Sequence, residues 1–262
     1  MTGNAPLILA ATPTGQHGPP LVLLHGLFGA AQNFGAVAKA LAQRCRVVAL
    51  DLRNHGQSPH AASMTYPEMG ADVAATLAAL GISRAAVVGH SMGGKVAMAL
   101  AQAHPGLVDR LCVVDIAPRA YRPSLAEYAA ALAAIPLAPG LRRAEADAAL
   151  AATVPNPAER AFLLLNLRFE GDQPSWRLNL PAIQAGFPEI SAWVPPATPA
   201  YPGPTLFLAG ARSDYIRAQD FPAIQARFPA ASLATVPGAG HWVHAEAPAA
   251  FLERLVPFLT PA

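Results

Sequence analysis

The sequence AAVVGHSMGGKVAMALAQA, residues 85–103, decides the fold of this chain of 262 residues. Its apolar start predicts a strand over Ala85–Val88, and Met92–Ala103 predicts a helix that Pro105 ends. Between them lies the pattern G-x-S-x-G, which holds a serine on a strained turn from strand to helix. Glycines are needed there because a side chain would collide with neighbouring backbone. The pattern predicts Ser91 as a nucleophile, and a tight structural turn is the alternative.

Strand and helix patterns alternate on both sides of this turn. The predicted strands are Leu21–Leu24, Arg46–Leu50, Ala85–Val88, Leu111–Ile116, Thr205–Ala209 and Ser232–Val236. The predicted helices are Asn33–Gln43, a segment capped by Thr65 and ended by Gly81, Met92–Ala103, Gln219–Phe228 and Pro248–Leu259. Strands that alternate with helices at this spacing predict an α/β fold with a parallel sheet and right-handed crossover connections.

The alternation stops after Pro118 and resumes at the strand that begins near Thr205. Fourteen of the 27 prolines lie from Pro118 to Pro204, which excludes long uninterrupted helices there. A structureless loop of this length inside a compact domain is improbable. Apolar helical patterns at Leu125–Ile135 and Ala158–Leu167 instead predict short helices over the sheet. We therefore expect a core domain of residues 1–118 and 204–262 and a helical cap of residues 119–203.

The composition excludes several classes of protein. The chain is 53% hydrophobic and 13% charged, a composition that predicts a globular protein. Its formal net charge of +2 is too small for the basic stripe that a nucleic-acid binder needs. We find no run of 18 apolar residues and no signal peptide pattern at the start, which predicts a cytoplasmic protein without a membrane span. Cys45 and Cys112 lie in apolar runs and are expected to be buried reduced thiols rather than a disulfide or metal ligands. We expect no metal site.

A serine nucleophile needs a general base, normally a histidine that a carboxylate orients. His241 follows the last predicted strand in the sequence GAGHWVH and is predicted to be this base. His244 fits the start of a helix or a supporting role. We expect His25 and His90 to be structural, whereas His55 lines a pocket or lies in a solvated loop.

The carboxylate has two candidates. Asp115 ends the predicted strand Leu111–Ile116, where a buried carboxylate requires a strong hydrogen-bonding partner such as an imidazole. Asp214 follows the strand Thr205–Ala209, and its alternative role is a surface ion or a loop cap. We favour Asp115 and keep Asp214 as the alternative acid.

A tetrahedral oxyanion needs two backbone N–H donors, one of them from the residue after the nucleophile. That residue is Met92. The second donor is expected in the sequence HGLFG, residues 25–29, which directly follows a predicted strand. Leu27 is the first candidate there and Phe28 the second, and an ordinary turn from strand to helix is the alternative. The polar residues of DLRNHGQS, residues 51–58, are expected to fix their own loop.

The motifs HGLFG, DLRNHGQS, GHSMGGK, VVDIAP and GAGHWVHAE together resemble the alpha/beta-hydrolase superfamily and, within it, the YbfF-type esterases. The resemblance covers nearly the whole chain and is weakest from Arg119 to Pro204. It implies an eight-stranded, mostly parallel sheet, a helical cap after the sixth strand, and hydrolysis of carboxyl esters or thioesters without a cofactor. It also implies an acid on the sixth strand, which is Asp115 here. Many members of the superfamily carry the acid three residues after the glycine that ends the strand before the last. Here that glycine is Gly210, and the third residue after it is Ser213.

The sequence thus predicts a serine hydrolase that cleaves small-molecule esters or acyl thioesters through an acyl-enzyme. A carbon-carbon bond hydrolase, a perhydrolase and a non-catalytic ligand-binding protein on the same scaffold are the alternatives. We expect an apolar acyl channel in the cap. Four arginines of this region either attract an anionic group such as the phosphates of coenzyme A or are solvated surface residues: Arg119, Arg122, Arg168 and Arg177.

Overall fold

The apolar runs of the sequence form the strands of a single large sheet. The computed structural model describes residues 5–171, 173–193 and 199–260. The seven strands of this sheet are β1 (Ala11–Thr14), β2 (Pro20–Leu24), β3 (Arg46–Leu50), β4 (Ala85–His90), β5 (Val108–Val114), β8 (Thr205–Gly210) and β9 (Ala231–Val236). They are arranged in the order β1-β3-β2-β4-β5-β8-β9. All neighbouring pairs are parallel except β1 and β3, which are antiparallel.

Helices cover both faces of the sheet. The helices of the described residues are α1 (Gly35–Leu41), α2 (Tyr66–Ala79), α3 (Met92–Ala103), α4 (Ala126–Ala133), α5 (Arg143–Leu150), α6 (Pro157–Leu164), α7 (Leu180–Ala185), α8 (Phe187–Ser191), α9 (Phe221–Arg227), α10 (Val243–Glu246) and α11 (Pro248–Leu259). Of these, α2 and α3 pack on one face of the sheet and α1 and α11 on the other. Alternate residues of β2 pack into two separate hydrophobic cores, one on each face of the sheet. Val22 and Leu24 pack with α2 and α3, whereas Leu21 and Leu23 pack with α1 and α11. Both faces of the central strands are therefore buried, as is typical of a parallel sheet.

The α/β fold and the mostly parallel sheet are confirmed, but the number of eight strands is wrong for the described residues. The segment before β1 does not pair in the sheet because side chains take its backbone N–H groups. Leu7 donates to Asp72 at 2.7 Å and Leu9 to the Thr76 hydroxyl at 2.9 Å. The long insertion consequently follows the fifth of seven strands rather than the sixth of eight.

Local signals placed most of the core elements correctly. The strand Arg46–Leu50 and the helices Met92–Ala103 and Pro248–Leu259 have the predicted bounds. Thr65 caps α2 through a capping box with Glu68, in which each side chain accepts a backbone N–H of the other residue.

The segment from residue 119 to residue 203, which we call the inserted segment, contains α4 to α8 and a short hairpin of β6 (Leu167–Arg168) and β7 (Ser175–Trp176). Its described residues contact the core near the carboxyl ends of the strands. The Tyr66 hydroxyl donates to the Ile190 carbonyl at 2.6 Å, and the Asn166 amide donates to the Phe28 carbonyl at 2.7 Å.

Cys45 and Cys112 are both buried and unpaired, as predicted. Among the described residues, each helix is too short or too polar to span a lipid bilayer.

Candidate active site

Ser91 stands at the sharp turn between β4 and α3. Its backbone has φ 52° and ψ −121°, a left-handed region that residues with a side chain rarely adopt. A Cβ atom on Gly93 would overlap the carbonyl oxygens of Leu24 and His25, and one on Gly89 would overlap the carbonyl oxygen of Gly93. The glycines therefore let β2, β4 and α3 approach closely, and the Ser91 side chain remains partly exposed at the end of β4.

A chain of hydrogen bonds links three side chains that are far apart in the sequence. Ser91 Oγ lies 3.0 Å from Nε2 of His241, and Nδ1 of His241 lies 2.7 Å from Oδ2 of Asp115. Because a carboxylate accepts hydrogen bonds, the His241 ring donates Nδ1–H to Asp115. This leaves Nε2 free to accept the proton of the Ser91 hydroxyl, the tautomer that a general base requires.

The Asp115 carboxylate is completely buried, and both of its oxygens accept hydrogen bonds. Oδ1 accepts the backbone N–H of Gly210 at 2.9 Å, and Oδ2 accepts the Ser213 hydroxyl at 2.5 Å in addition to the His241 ring. A buried carboxylate is costly unless donors match its charge. The three donors from β8 and from the loops that follow β8 and β9 meet this requirement.

Asp214 lies outside this arrangement. Its side chain is 77% exposed and forms an ion pair with Arg217 at 2.7 Å. The hydrogen bond from Arg217 lowers the pKa of the Asp214 carboxyl. Of the two candidate acids, the structure therefore brings Asp115 to His241 and directs Asp214 to solvent.

The ring of Tyr215 stacks on the imidazole of His241, with 3.8 Å between the ring centroids and 23° between the planes. The carbonyl of Tyr215 accepts the Tyr121 hydroxyl at 2.6 Å, and Tyr121 in turn accepts the backbone N–H of Ala117 at 2.7 Å. The backbone N–H of Tyr215 donates to Ser213 Oγ at 3.3 Å. No sequence motif assigned a role to Tyr215 or Ser213. The position of Ser213, three residues after Gly210, is nevertheless the one at which many family members carry the acid.

Two backbone N–H groups beside Ser91 are free to bind an oxyanion. Within the described residues, neither the N–H of Leu27 nor that of Met92 has a hydrogen-bond acceptor, and both residues line a cavity together with Ser91. The N–H of Phe28 instead donates to Nε2 of His55 at 3.2 Å. Of the two predicted donors in the loop after β2, Leu27 is thus available and Phe28 is not.

His25 and His55 are buried beside this loop. His25 donates Nδ1–H to the Gly26 carbonyl at 2.8 Å and accepts the Leu52 N–H at 2.9 Å, while His55 donates to the Arg53 carbonyl at 2.9 Å. Burial lowers the pKa of His25 to about 4 and the pKa of His55 to about 3. His25 therefore has the structural position predicted, whereas the expectation that His55 lines a pocket or is solvated is wrong because its ring is inside the core.

His90 and His244 pack against each other near His241. His90 donates Nε2–H to the His241 carbonyl at 2.8 Å, and the ring of His244 stacks on Phe34 with 4.4 Å between centroids. Burial lowers the pKa of His244 to about 4 and the pKa of His90 well below its ordinary range. Both rings therefore support the His241 loop as neutral groups.

Two cavities meet at Ser91, and both have largely apolar walls. The first also contacts His241 and is lined by Phe34, Leu125, Tyr128, Glu159, Phe162, Leu163 and Trp242. The second is lined by Leu27, Tyr66, Lys95, Ile116, Tyr121, Arg122, Leu125, Phe187 and Tyr215. Apolar cavities on both sides of one hydroxyl suit a substrate with a carbon chain on each side of the reacting bond.

Lys95 is a charged residue of the second cavity that the sequence analysis did not single out. Its ammonium group donates to the carbonyl of Ala192 at 2.8 Å and lies 5.3 Å and 5.0 Å from the ring centroids of Tyr66 and Tyr121. Burial lowers the pKa of Lys95 to about 7. The sequence marks it as the one charged residue of the helix Met92–Ala103, four residues after Ser91.

The four arginines that were candidates for anion binding in the sequence have different surroundings in the structure. Arg119 pairs with Asp220 at 3.2 Å and packs on Tyr121, and the Arg177 guanidinium lies 3.7 Å from Glu170. Arg122 is exposed and lines the second cavity, and Arg168 is half-buried at the short hairpin.

A family model described as the alpha/beta hydrolase fold matches residues 19–248 of the chain. The chain belongs to the alpha/beta hydrolase family. The resemblance found in the sequence motifs is thereby confirmed.

Curated relatives of this alpha/beta hydrolase carry the names of esterases and lipases. Esterase YbfF of Escherichia coli is 37% identical over 254 residues, which cover 96% of this chain and 98% of that protein. The sn-1-specific diacylglycerol lipase ABHD11 of Xenopus tropicalis is 43% identical, with 94% of this chain and 79% of that protein covered. The prediction that the chain is a hydrolase enzyme is confirmed at this level.

Solved structures agree with this assignment. A marine microorganism esterase superimposes on this alpha/beta hydrolase with a TM-score of 0.93 at 37% identity, and the alignment covers 97% of this chain and 100% of that chain. The similarity extends over the core and the inserted segment alike.

Proposed function

We propose that this alpha/beta hydrolase cleaves carboxylic esters through an acyl-enzyme formed on Ser91. The observation that carries the proposal is the hydrogen-bonded series Ser91–His241–Asp115 at the turn after β4. The names of the relatives, esterase and lipase, favour oxygen esters over the acyl thioesters that the sequence also allowed.

In the first step, Ser91 Oγ attacks the carbonyl carbon of the ester while Nε2 of His241 takes the hydroxyl proton. The imidazolium that forms is stabilised by the Asp115 carboxylate, which Gly210 and Ser213 hold in position. His241 then gives the proton to the leaving alcohol as the tetrahedral intermediate collapses to the acyl-enzyme.

The backbone N–H groups of Leu27 and Met92 are the proposed donors to the oxyanion of the tetrahedral intermediate. Met92 is the first residue of α3, so the positive end of the helix dipole adds to the stabilisation of negative charge. In the second half of the reaction, His241 takes a proton from water, the hydroxyl attacks the acyl carbon, and Ser91 leaves with the proton restored.

We assign residues 119–203 as a cap that forms the outer walls of both cavities. Leu125, Tyr128, Phe162 and Phe187 of this segment line them and are mainly apolar. Burial of acyl or alcohol methylene groups against these walls stabilises binding by about 0.8 kcal/mol per methylene. The preferred substrates are therefore esters with carbon chains rather than small polar esters.

The proposal is tested with Ser91→Ala and the matched variant Ser83→Ala, which alters an exposed serine outside both cavities. Ser91→Ala should remain folded, lose labelling by a fluorophosphonate and hydrolyse p-nitrophenyl esters about 10⁴-fold more slowly. Ser83→Ala should label and turn over like the native enzyme.

Substantial hydrolysis by Ser91→Ala would refute the mechanism. A chain-length series of p-nitrophenyl and coenzyme A esters measured in the same assay separates esterase from thioesterase activity.

A further inference from the structure

The loop after β2 contains a residue whose backbone is held from two sides. Phe28 has φ 61°, in the left-handed region, and its side chain is buried. Its N–H donates to His55 of the loop after β3, and its carbonyl accepts the side-chain amide of Asn166 from the inserted segment at 2.7 Å. His55 and Asn166 are both buried, so neither hydrogen bond competes with bulk water.

The two hydrogen bonds of the Phe28 backbone also restrict the peptide groups that precede Phe28 in the chain. The N–H of Leu27 shares one planar peptide group with the carbonyl of Gly26. That carbonyl accepts two hydrogen bonds, from Nδ1 of His25 at 2.8 Å and from the N–H of Gly29 at 2.9 Å. The turn that brings the Gly29 N–H to the Gly26 carbonyl includes Phe28 in its left-handed conformation. Because this hydrogen bond fixes the Gly26–Leu27 peptide group, the direction of the Leu27 N–H depends on the conformation of Phe28.

A left-handed conformation costs a residue with a side chain about 1 kcal/mol or more. The hydrogen bonds of Phe28 with His55 and Asn166 offset this cost, because relaxation of Phe28 would leave its buried N–H and its buried carbonyl without partners. The Asn166 amide would lose one of its two acceptors, the other being the Leu163 carbonyl at 3.1 Å.

We propose that Asn166 is a positioning residue through which the inserted segment holds the oxyanion-binding N–H of Leu27. The inference rests on the proposed function, since it concerns the stabilisation of the same tetrahedral intermediate. The inserted segment therefore contributes to the rate of the chemical step in addition to lining the cavities.

Asn179 provides a matched control, because it also joins the inserted segment to the core through its side-chain amide. It donates to Asn54 Oδ1 at 3.0 Å and to the Ala61 carbonyl at 3.3 Å, and neither partner belongs to the loop of Leu27. Asn166→Ala and Asn179→Ala each remove side-chain amide hydrogen bonds between the inserted segment and the core. Only Asn166→Ala removes the hydrogen bond to the Phe28 carbonyl.

The experiment compares kcat, KM and thermal stability of both variants with those of the native enzyme on a p-nitrophenyl ester. We expect Asn166→Ala to lower kcat about tenfold with KM within twofold, a fraction of the loss that follows removal of an oxyanion donor. The affinity for an arylboronic acid, whose tetrahedral adduct on Ser91 mimics the intermediate, should fall by a similar factor. Asn179→Ala should keep kcat and boronate affinity within twofold.

Asn166→Asp serves as a second variant, since its carboxylate has the size of the amide but cannot donate to the Phe28 carbonyl. We expect its kcat and boronate affinity to fall at least as far as those of Asn166→Ala. The proposal is overturned if both folded Asn166 variants keep kcat and boronate affinity within twofold, or if Asn179→Ala lowers them equally. Absence of ester hydrolysis by the native enzyme would refute the proposed function instead, so the two failures are distinguishable.

Discussion

Asp115 and Ser213 are in contact because their strands are neighbours in the sheet. β5 and β8 are paired and parallel, so Asp115 after β5 and Ser213 after β8 emerge at the same edge of the sheet. Asp115, the proposed acid, follows β5, and Ser213 after β8 donates its hydroxyl to Asp115.

The roles of the two aspartates are tested by Asp115→Asn and Asp214→Asn. Asp115→Asn should lower kcat about 10⁴-fold, because an amide at this position favours the wrong tautomer of His241. Asp214→Asn should cost less than about tenfold, since the Asp214 side chain is exposed and its ion pair is with the exposed Arg217. Steady-state kinetics on one ester substrate give both values, and the reverse ranking would move the acid to Asp214.

The stacking of Tyr215 on His241 predicts a separate effect on the base. Tyr215→Phe keeps the ring and should retain kcat within about threefold. Tyr215→Leu removes the aromatic face that packs on the His241 ring, so kcat on one ester substrate should fall about tenfold. Equal kcat values for the Phe and Leu variants would show that the Tyr215 ring has no part in the action of His241.

At the residue scale, local sequence patterns marked the residues that the structure brings together around Ser91. Ser91, His241 and the loop of Leu27 follow strands that the sequence marks clearly. Asn166 reaches Phe28 across 138 positions and His55 reaches it across 27, and no local pattern marks such contacts. Buried side-chain hydrogen bonds between distant loops are set by tertiary packing, which the sequence alone does not display.

At the scale of elements, the turn between β4 and α3 is fixed by steric contact more than by propensity. Gly93 is the clearest case, because its φ is not positive and only the nearness of two carbonyl oxygens requires a glycine. The same contact brings α3 against β2, so the geometry of the turn and the packing of the helix cannot change independently.

Gly93→Ala should therefore lower the free energy of unfolding by about 3 kcal/mol or more, or prevent folding, because the added Cβ meets backbone that cannot move aside. Gly35→Ala is the matched control. Gly35 is exposed at the first position of α1, and a Cβ there meets no atom within 4 Å, so this variant should gain about 0.5 kcal/mol. Urea denaturation measures both, and equal stabilities would contradict the steric account.

The elements that the sequence did not reveal are short. α7 and α8 have six and five residues, each with a proline in its first turn, and β6 and β7 have two residues each. Segments of this length bury too few residues to show a helical or strand period. β1 was missed for a related reason, since its four residues include a proline and none is fully buried.

At the scale of the molecule, four buried histidines around the site make stability dependent on pH. His25, His55, His90 and His244 all have a pKa lowered by burial, His25 and His244 to about 4 and His55 to about 3. In the unfolded chain they titrate near pH 6.5. The unfolded chain therefore binds more protons below pH 6.5, and the free energy of unfolding falls as the pH is lowered from about 6.5 to about 4.

His244→Leu isolates one of these contributions. Nδ1 of His244 has no hydrogen-bond partner among the described residues, so an apolar side chain of similar size should change stability at pH 7.5 by less than about 1 kcal/mol. The loss of stability between pH 7.5 and pH 5 should be smaller than that of the native protein by about 1 to 2 kcal/mol. Urea denaturation at the two pH values measures it, and an unchanged loss would contradict burial of a neutral His244.

β5 and β8 pair directly, from Leu111 with Thr205 to Val114 with Leu208, although the whole inserted segment lies between them in the chain. The register of the sheet is thus independent of the length of that segment, and doubling the length of a flexible connection costs only about 0.6 kcal/mol. A segment of another length can therefore connect the two strands without changing their pairing. To keep the proposed position of the Leu27 N–H, a replacement segment must also supply a hydrogen-bond donor to the carbonyl of Phe28, as Asn166 does here.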